Sequence, residues 1–202
     1  MNKPGKVFLT ALFVISFTPL FSQNRFFTDA GANVAFKTTG KRVITPEKFR
    51  SSVLDIQAMK NFLWSLPSEK NINGRQQTPI VELPMPDGTM ARFHIWESPI
   101  MEPALAAKYP EIKTFEGQGI DDPYATVRLD LNPYFGFNAQ ILSVNGNAYI
   151  DPYARGDVNN YESYYASDNK RNPDFKCATV QNINTNPALL NRVESICKGT
   201  QL

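Results

Sequence analysis

This 202-residue chain has one histidine, two cysteines and no apolar run long enough to cross a bilayer. One imidazole, His94, cannot supply the two-histidine helical zinc motif or a histidine-rich zinc site, and any Ser-His-Asp triad would have to use this one ring. Its neighbours alternate in strand fashion, which reads as a surface or half-buried strand histidine. Two cysteines do not make a disulfide scaffold, so the core must come from burial. The charges are mixed, 21 basic against 19 acidic for a net of +2, and no basic cluster is longer than Lys41-Arg42 or Lys170-Arg171. Phosphate binding needs a concentrated basic face, so nucleic acid is not an expected partner. The chain carries no phosphate loop, dinucleotide fingerprint or paired-cysteine metal motif, and no internal repeat or low-complexity tract.

The chain opens with Lys3 and Lys6 and no acid, followed by a mostly apolar stretch over residues 7–21 and the small residue Ser22 before Gln23. That is the pattern of a secretory signal peptide over residues 1–22, and it is shorter than the roughly 20 apolar residues of a membrane span. The expected localisation is extracellular or periplasmic, with no stable membrane span after cleavage. About 180 residues then remain, enough for one domain with its own core.

Residues 115–153 organise the rest. Three runs, 124–131, 135–143 and 148–150, alternate or are β-branched and are bounded by Pro, Gly, Asn or Asp, which predicts a β-meander. Asn145-Gly146-Asn147 supplies a tight hairpin turn between the last two. Side-chain alternation puts Ala125, Val127, Leu129 and Leu131 on one face with Phe135, Phe137, Ala139 and Ile141, and Tyr124, Thr126, Arg128 and Asp130 on the other. Two further strands flank the Met85-Pro86-Asp87-Gly88 turn. Asp55 caps a helix in which Ile56, Met59, Phe62, Leu63 and Leu66 recur at helical spacing until Pro67 ends it. Pro103 opens a second short helix. Thr45-Pro46-Glu47-Lys48 carries a helix-start signal, and the alternation of Phe49, Ser51 and Val53 sets a short strand up to Leu54 in competition with it. Residues 187–196 read as a terminal helix.

The expected architecture is α+β: an antiparallel β-sheet or meander of six to eight strands with one or two short packing helices. The expected divisions are a signal peptide over 1–22, an arm over 23–44, a β-rich domain over 45–168 and a tail over 169–202. The expected core is Val53, Leu63, Val81, Phe93, Ile95, Leu105, Val127, Leu129, Phe137, Ile141 and Ile150.

Two groups of residues invite a site. Asp121-Asp122-Pro123 reads as a side-chain-bonded turn, or as part of a calcium site if Gly119, Asp121, Asp122, Asp151 and Asp157 converge. Tyr149, Tyr153, Tyr161, Tyr164 and Tyr165 read as cross-strand packing, or as a stacking surface for glycans or peptides.

LPMPDG (83–88), RFHIWESPIMEPALAAKYPEIKTFEGQGIDDPYATVRLDL (92–131), GFNAQI (136–141) and YIDPY (149–153) together resemble the amino-terminal pro-region of secreted reprolysin-like zinc metallopeptidases of Bacteroidetes-type bacteria. The resemblance covers residues 45–166 as an ordered series and contains no catalytic motif. It implies the front part of a precursor, a noncatalytic domain expected to inhibit a metallopeptidase domain or assist its folding, in cis or in trans. Zinc would enter only through that partner; the peptidase domain with its three-histidine motif is absent from these 202 residues, so a truncated precursor is an accompanying expectation. The resemblance also makes Cys177 a candidate thiolate for the zinc's open fourth position. A Cys177–Cys197 disulfide, closing a loop worth ~3 kcal/mol, and two separate thiols stand beside that reading. A stand-alone extracellular glycan- or peptide-binding module is the alternative function, and a carboxylate-dependent hydrolase ranks last.

Overall fold

A computed structural model describes residues 26–170. The proposed signal peptide, Cys177, Cys197 and the terminal helix at 187–196 lie outside the described residues.

Nine strands form one antiparallel sheet among these residues: β1 (Phe27–Ala32), β2 (Arg50–Leu54), β3 (Ile80–Pro84), β4 (Met90–Glu97), β5 (Lys113–Gly119), β6 (Thr126–Asn132), β7 (Gly136–Leu142), β8 (Ala148–Pro152) and β9 (Asn160–Tyr165). Their spatial order is β1-β2-β9-β8-β7-β6-β5-β4-β3. β3 to β9 is thus a seven-strand meander, and its last strand also pairs with β2 and binds the amino-terminal strands to it. The sheet curls into a half-barrel. The α+β expectation holds, with one strand more than its upper bound.

Local chemistry explains the main elements. α1 (Ile56–Trp64) starts at Asp55, whose Oδ1 accepts the Ala58 amide at 2.9 Å, and buries Met59 and Leu63. Both belong to the cluster formed by Val81, Phe93, Ile95, Phe115, Val127, Leu129, Phe137, Ile141 and Ile150, so α1 covers the concave face of the sheet. Each such side chain contributes ~1.5–3 kcal/mol on full burial. The Met85–Gly88 turn closes by a Gly88 amide donating to the Met85 carbonyl at 3.0 Å, and Gly88 takes φ +92°, where a side chain would be strained. Gly117 serves a different need: a Cβ there would stand 2.7 Å from the His94 carbonyl oxygen, so only glycine lets β4 and β5 close up.

The turn expected at Asn145-Gly146-Asn147 sits one step earlier. Ser143 O accepts the Gly146 amide at 3.2 Å, and Gly146 has the positive φ, +123°. α2 (Pro103–Lys108) begins at Pro103 as expected, but it buries no residue, and Leu105 is 46% exposed. Val53 is also exposed, because Ser52 and Leu54 take the inner positions of β2. Phe135 falls in the β6–β7 turn and points to solvent. The helix-start signal at Thr45 is overridden, since residues 45–49 lead into β2 as irregular chain.

The arm expected over 23–44 divides in two. Its beginning is β1, paired with β2 through a bulge between Asp29 and Gly31. Residues 33–49 then cross the outer face of the sheet as a strap. Ser51 Oγ donates to the Val34 carbonyl at 2.7 Å, the Arg155 amide to the Lys41 carbonyl at 3.0 Å and the Glu47 amide to the Asp168 carbonyl at 2.8 Å.

Candidate functional site

The outer face of the sheet carries two rows of polar side chains set by register. Pairing of Glu116 with Arg128, Arg128 with Gln140, Gln140 with Tyr149 and Tyr149 with Tyr164 makes the first. In the second, Thr114 pairs with Asp130, Asp130 with Asn138, Asp151 with Glu162 and Glu162 with Ser51. Between the rows lies an open cleft of about 250 Å³ lined by Asp130, Asn138, Gln140, Tyr149 and Asp151. A neighbouring cleft of about 330 Å³ shares Asp130 and Asp151 and is walled by Val43 and Ile44 of the strap.

Three carboxyls thus sit on β6, β8 and β9, and burial raises the proton affinity of each. For Asp130 burial outweighs the hydrogen bonds from Asn132 and Asn138. For Asp151 burial outweighs the bond that Tyr164 Oη donates at 2.6 Å, and the Asp130 charge pushes the same way. Burial also drives Glu162 up to about 7, against the attraction of Arg42 and with the Asp151 charge adding to it. Burial and the neighbouring Asp151 in turn raise the Tyr164 phenol. Groups perturbed in this way mark places where proton or cation binding is coupled to structure.

Arg42 is the strap's contribution. Its Nη2 donates to Glu162 Oε2 at 2.5 Å, and its guanidinium stacks 4.3 Å from the centroid of Tyr153 and 5.1 Å from that of Phe49. Glu162 is 0% exposed, and its Oε1 and the Arg42 Nε are buried without hydrogen-bond partners among the described residues.

The residues singled out in the sequence fall elsewhere or inside. Asp121 is bound by Arg92, whose Nη2 donates at 2.6 Å and whose amide donates at 2.9 Å, and these bonds hold its carboxyl below the usual range. Asp122 accepts Ser143 Oγ at 2.7 Å and the Tyr124 amide at 3.0 Å, chiefly the former lowering its proton affinity, so the pair does form a side-chain-bonded turn. Asp122 holds Ser143 at one end of β7, whereas the Asp157 carbonyl lies near Gly136 at the other, so the five residues considered for calcium do not converge. No group of three His, Cys, Asp or Glu side chains with metal-binding geometry occurs among the described residues. His94 Nδ1 donates to the Thr78 carbonyl at 3.0 Å.

Of the two readings of the tyrosines, cross-strand packing is what forms, and the exposed stacking surface is not. Tyr153, Tyr161 and Tyr164 are buried, and Tyr165 packs on the core from a partly buried position. Parity divides them as well, with Tyr161 and Tyr165 on the inner face of β9 and Tyr164 on the outer, where it stacks on Tyr149 with centroids 5.6 Å apart. Sequence reasoning missed Arg42, Asp130 and Glu162. The alternation of Tyr161, Glu162, Ser163 and Tyr164 could have paired Glu162 with Tyr164 on one face, but nothing local announced that a strap covers it.

The fold and this face define a curled antiparallel β-sheet domain with a carboxylate-lined outer cleft. Compared with family models, curated proteins and solved structures, the chain matches none. No helix among the described residues is long and apolar enough to cross a membrane.

Proposed function

We propose that this chain is an exported, noncatalytic pro-region-like domain that inhibits a zinc metallopeptidase or assists its folding, in cis or in trans. One observation supports the reading best. The segments that carry the resemblance are the successive strands and turns of the meander from β3 to β8, and their distinctive residues have scaffold roles. Gly88 makes the Met85–Gly88 turn, Arg92 clamps Asp121 beside it, Asp122 ties the β5–β6 loop to the β7–β8 hairpin, and Gly117 admits the next strand. An ordered series spent on turns and strand contacts is what a rigid covering domain requires.

The test is inhibition of a reprolysin-like zinc peptidase from the same secretome by the purified chain, with and without Cys177→Ser. Inhibition that weakens in the variant supports a zinc-directed thiol. Inhibition that does not change keeps the covering role and removes the thiol. Absence of inhibition and of any folding assistance removes the reading.

The outer cleft favours a second reading, a glycan- or peptide-binding module. Its site moves from the buried tyrosines to Asp130, Asn138, Gln140, Tyr149 and Asp151, a set of carboxylates and amides beside one aromatic ring. Glycan-array binding lost in Asn138→Ala would support it.

A further inference from the structure

We propose that residues 33–49 form a pH-sensitive clasp: with Glu162 protonated the strap stays closed over the sheet, and with Glu162 ionised its release is favoured. The inference concerns the chain's own fold and does not depend on a peptidase partner.

The geometry carries the argument. The strap crosses the outer face of β2 and β9 and holds on by a few bonds, from Ser51 to Val34, from Arg155 to Lys41 and from Glu47 to Asp168. Its one buried charge contact is Arg42 on Glu162. One cation on one oxygen does not replace the water that a carboxylate loses, because Oε1 has no donor and Glu162 is wholly covered. The other elements add little help. β8 presents Asp151, a second carboxyl, and β6 presents Asp130 beyond it. β2 presents the uncharged Ser51, and the Tyr164 hydroxyl donates its hydrogen bond to Asp151. The nearest titratable neighbours are therefore acidic or phenolic, and among the described residues Arg42 is the only cation that touches the group. Opening the strap would hydrate Glu162, free Arg42 from Tyr153, and unwall the cleft lined by Val43, Ile44, Asp130 and Asp151.

The sign follows from linkage. Closed, Glu162 takes up its proton at about 7; hydrated, it returns toward the usual 4.5. The closed form therefore binds more protons between these values. Opening grows more favourable as pH rises through that window and levels off above it. Asp130 and Asp151, also raised by burial, act in the same direction.

Amide hydrogen exchange on the full chain tests this, expressed as protection factors from pH 5 to pH 8. The probes are the amides of Glu47 and Arg155, which bridge strap and body, with Leu129 in β6 as the control. In the wild type, protection of both probes should fall about a hundredfold over this range while Leu129 holds steady. Glu162→Gln, which keeps the shape of the neutral acid, should flatten the profile. Arg42→Gln removes the one stabilising cation and should move the transition to higher pH. A flat wild-type profile, a parallel fall at Leu129, or an unmoved transition in Arg42→Gln overturns the clasp. If Glu162→Gln does not fold, the wild-type and Arg42→Gln profiles still decide it.

Discussion

β6 and β9 belong to one sheet, yet they meet their surroundings differently. β6 buries Val127, Leu129 and Leu131 and turns Arg128 to water, so polarity and burial alternate together. β9 buries Tyr161, Glu162, Ser163 and Tyr164 in succession, because the core lies on one side and the strap on the other. A strand solvated on one face advertises its orientation through composition. A strand covered on both faces does not, and β9 carries charged and hydroxyl groups inside for which partners must be found tertiarily.

The sharpest test of the contrast is at Leu129. Leu129→Ala should cost on the order of 2–5 kcal/mol in denaturant unfolding, and its neighbour Arg128→Ala less than about 0.5 kcal/mol. A Leu129→Ala cost under about 1 kcal/mol would mean the faces of β6 are reversed.

On β9 the next largest effect is expected from Arg42→Ala. At pH 8 it strands a buried carboxylate and should cost about 3 kcal/mol, falling by up to about 1.4 kcal/mol at pH 5, where Glu162 is neutral. Equal, negligible costs at both pH values would show that the strap leaves this face wet and that the two strands are alike after all.

Tyr161→Phe comes third. The Tyr161 hydroxyl accepts the Phe137 amide at 3.1 Å and donates to the Val158 carbonyl at 3.3 Å, so its loss leaves a buried amide unpaired at about 1–2 kcal/mol. Chemical denaturation gives the value, and no change would mean water reaches that amide.

The smallest effect separates buried polarity that matters from polarity that does not. Ser163 Oγ is buried without a hydrogen-bond partner, so Ser163→Ala should be neutral or stabilising by up to about 0.5 kcal/mol in the same measurement. A loss above about 1 kcal/mol would reveal a partner for the hydroxyl.

The meander shows how much was legible. Val127, Leu129, Phe137, Ile141 and Ile150 were assigned inward from alternation alone, and all are buried. α1 was placed from the Asp55 cap and the spacing of Met59 and Leu63. Failures came where burial depends on distant chain. Val53 was assigned to the core from a strand in which Phe49, Ser51 and Val53 alternate, whereas Ser52 and Leu54 face the core. β9 was not delimited as a strand, because its pairing with β2 joins residues more than a hundred positions apart. The candidate site was almost wholly hidden, since its acids come from three strands and its cation from the strap.

By itself the sequence determined the local grammar of this protein: where turns break the chain, which face of each half-solvated strand is apolar, and where α1 begins. Those features follow from φ preferences, period-two alternation and side-chain capping, which act over a few residues. Only the tertiary structure decided that β9 lies between β2 and β8, that residues 33–49 cross it, and that Glu162 loses its water beneath Arg42. Desolvation depends on everything packed around a group, and here the covering groups lie far away along the chain.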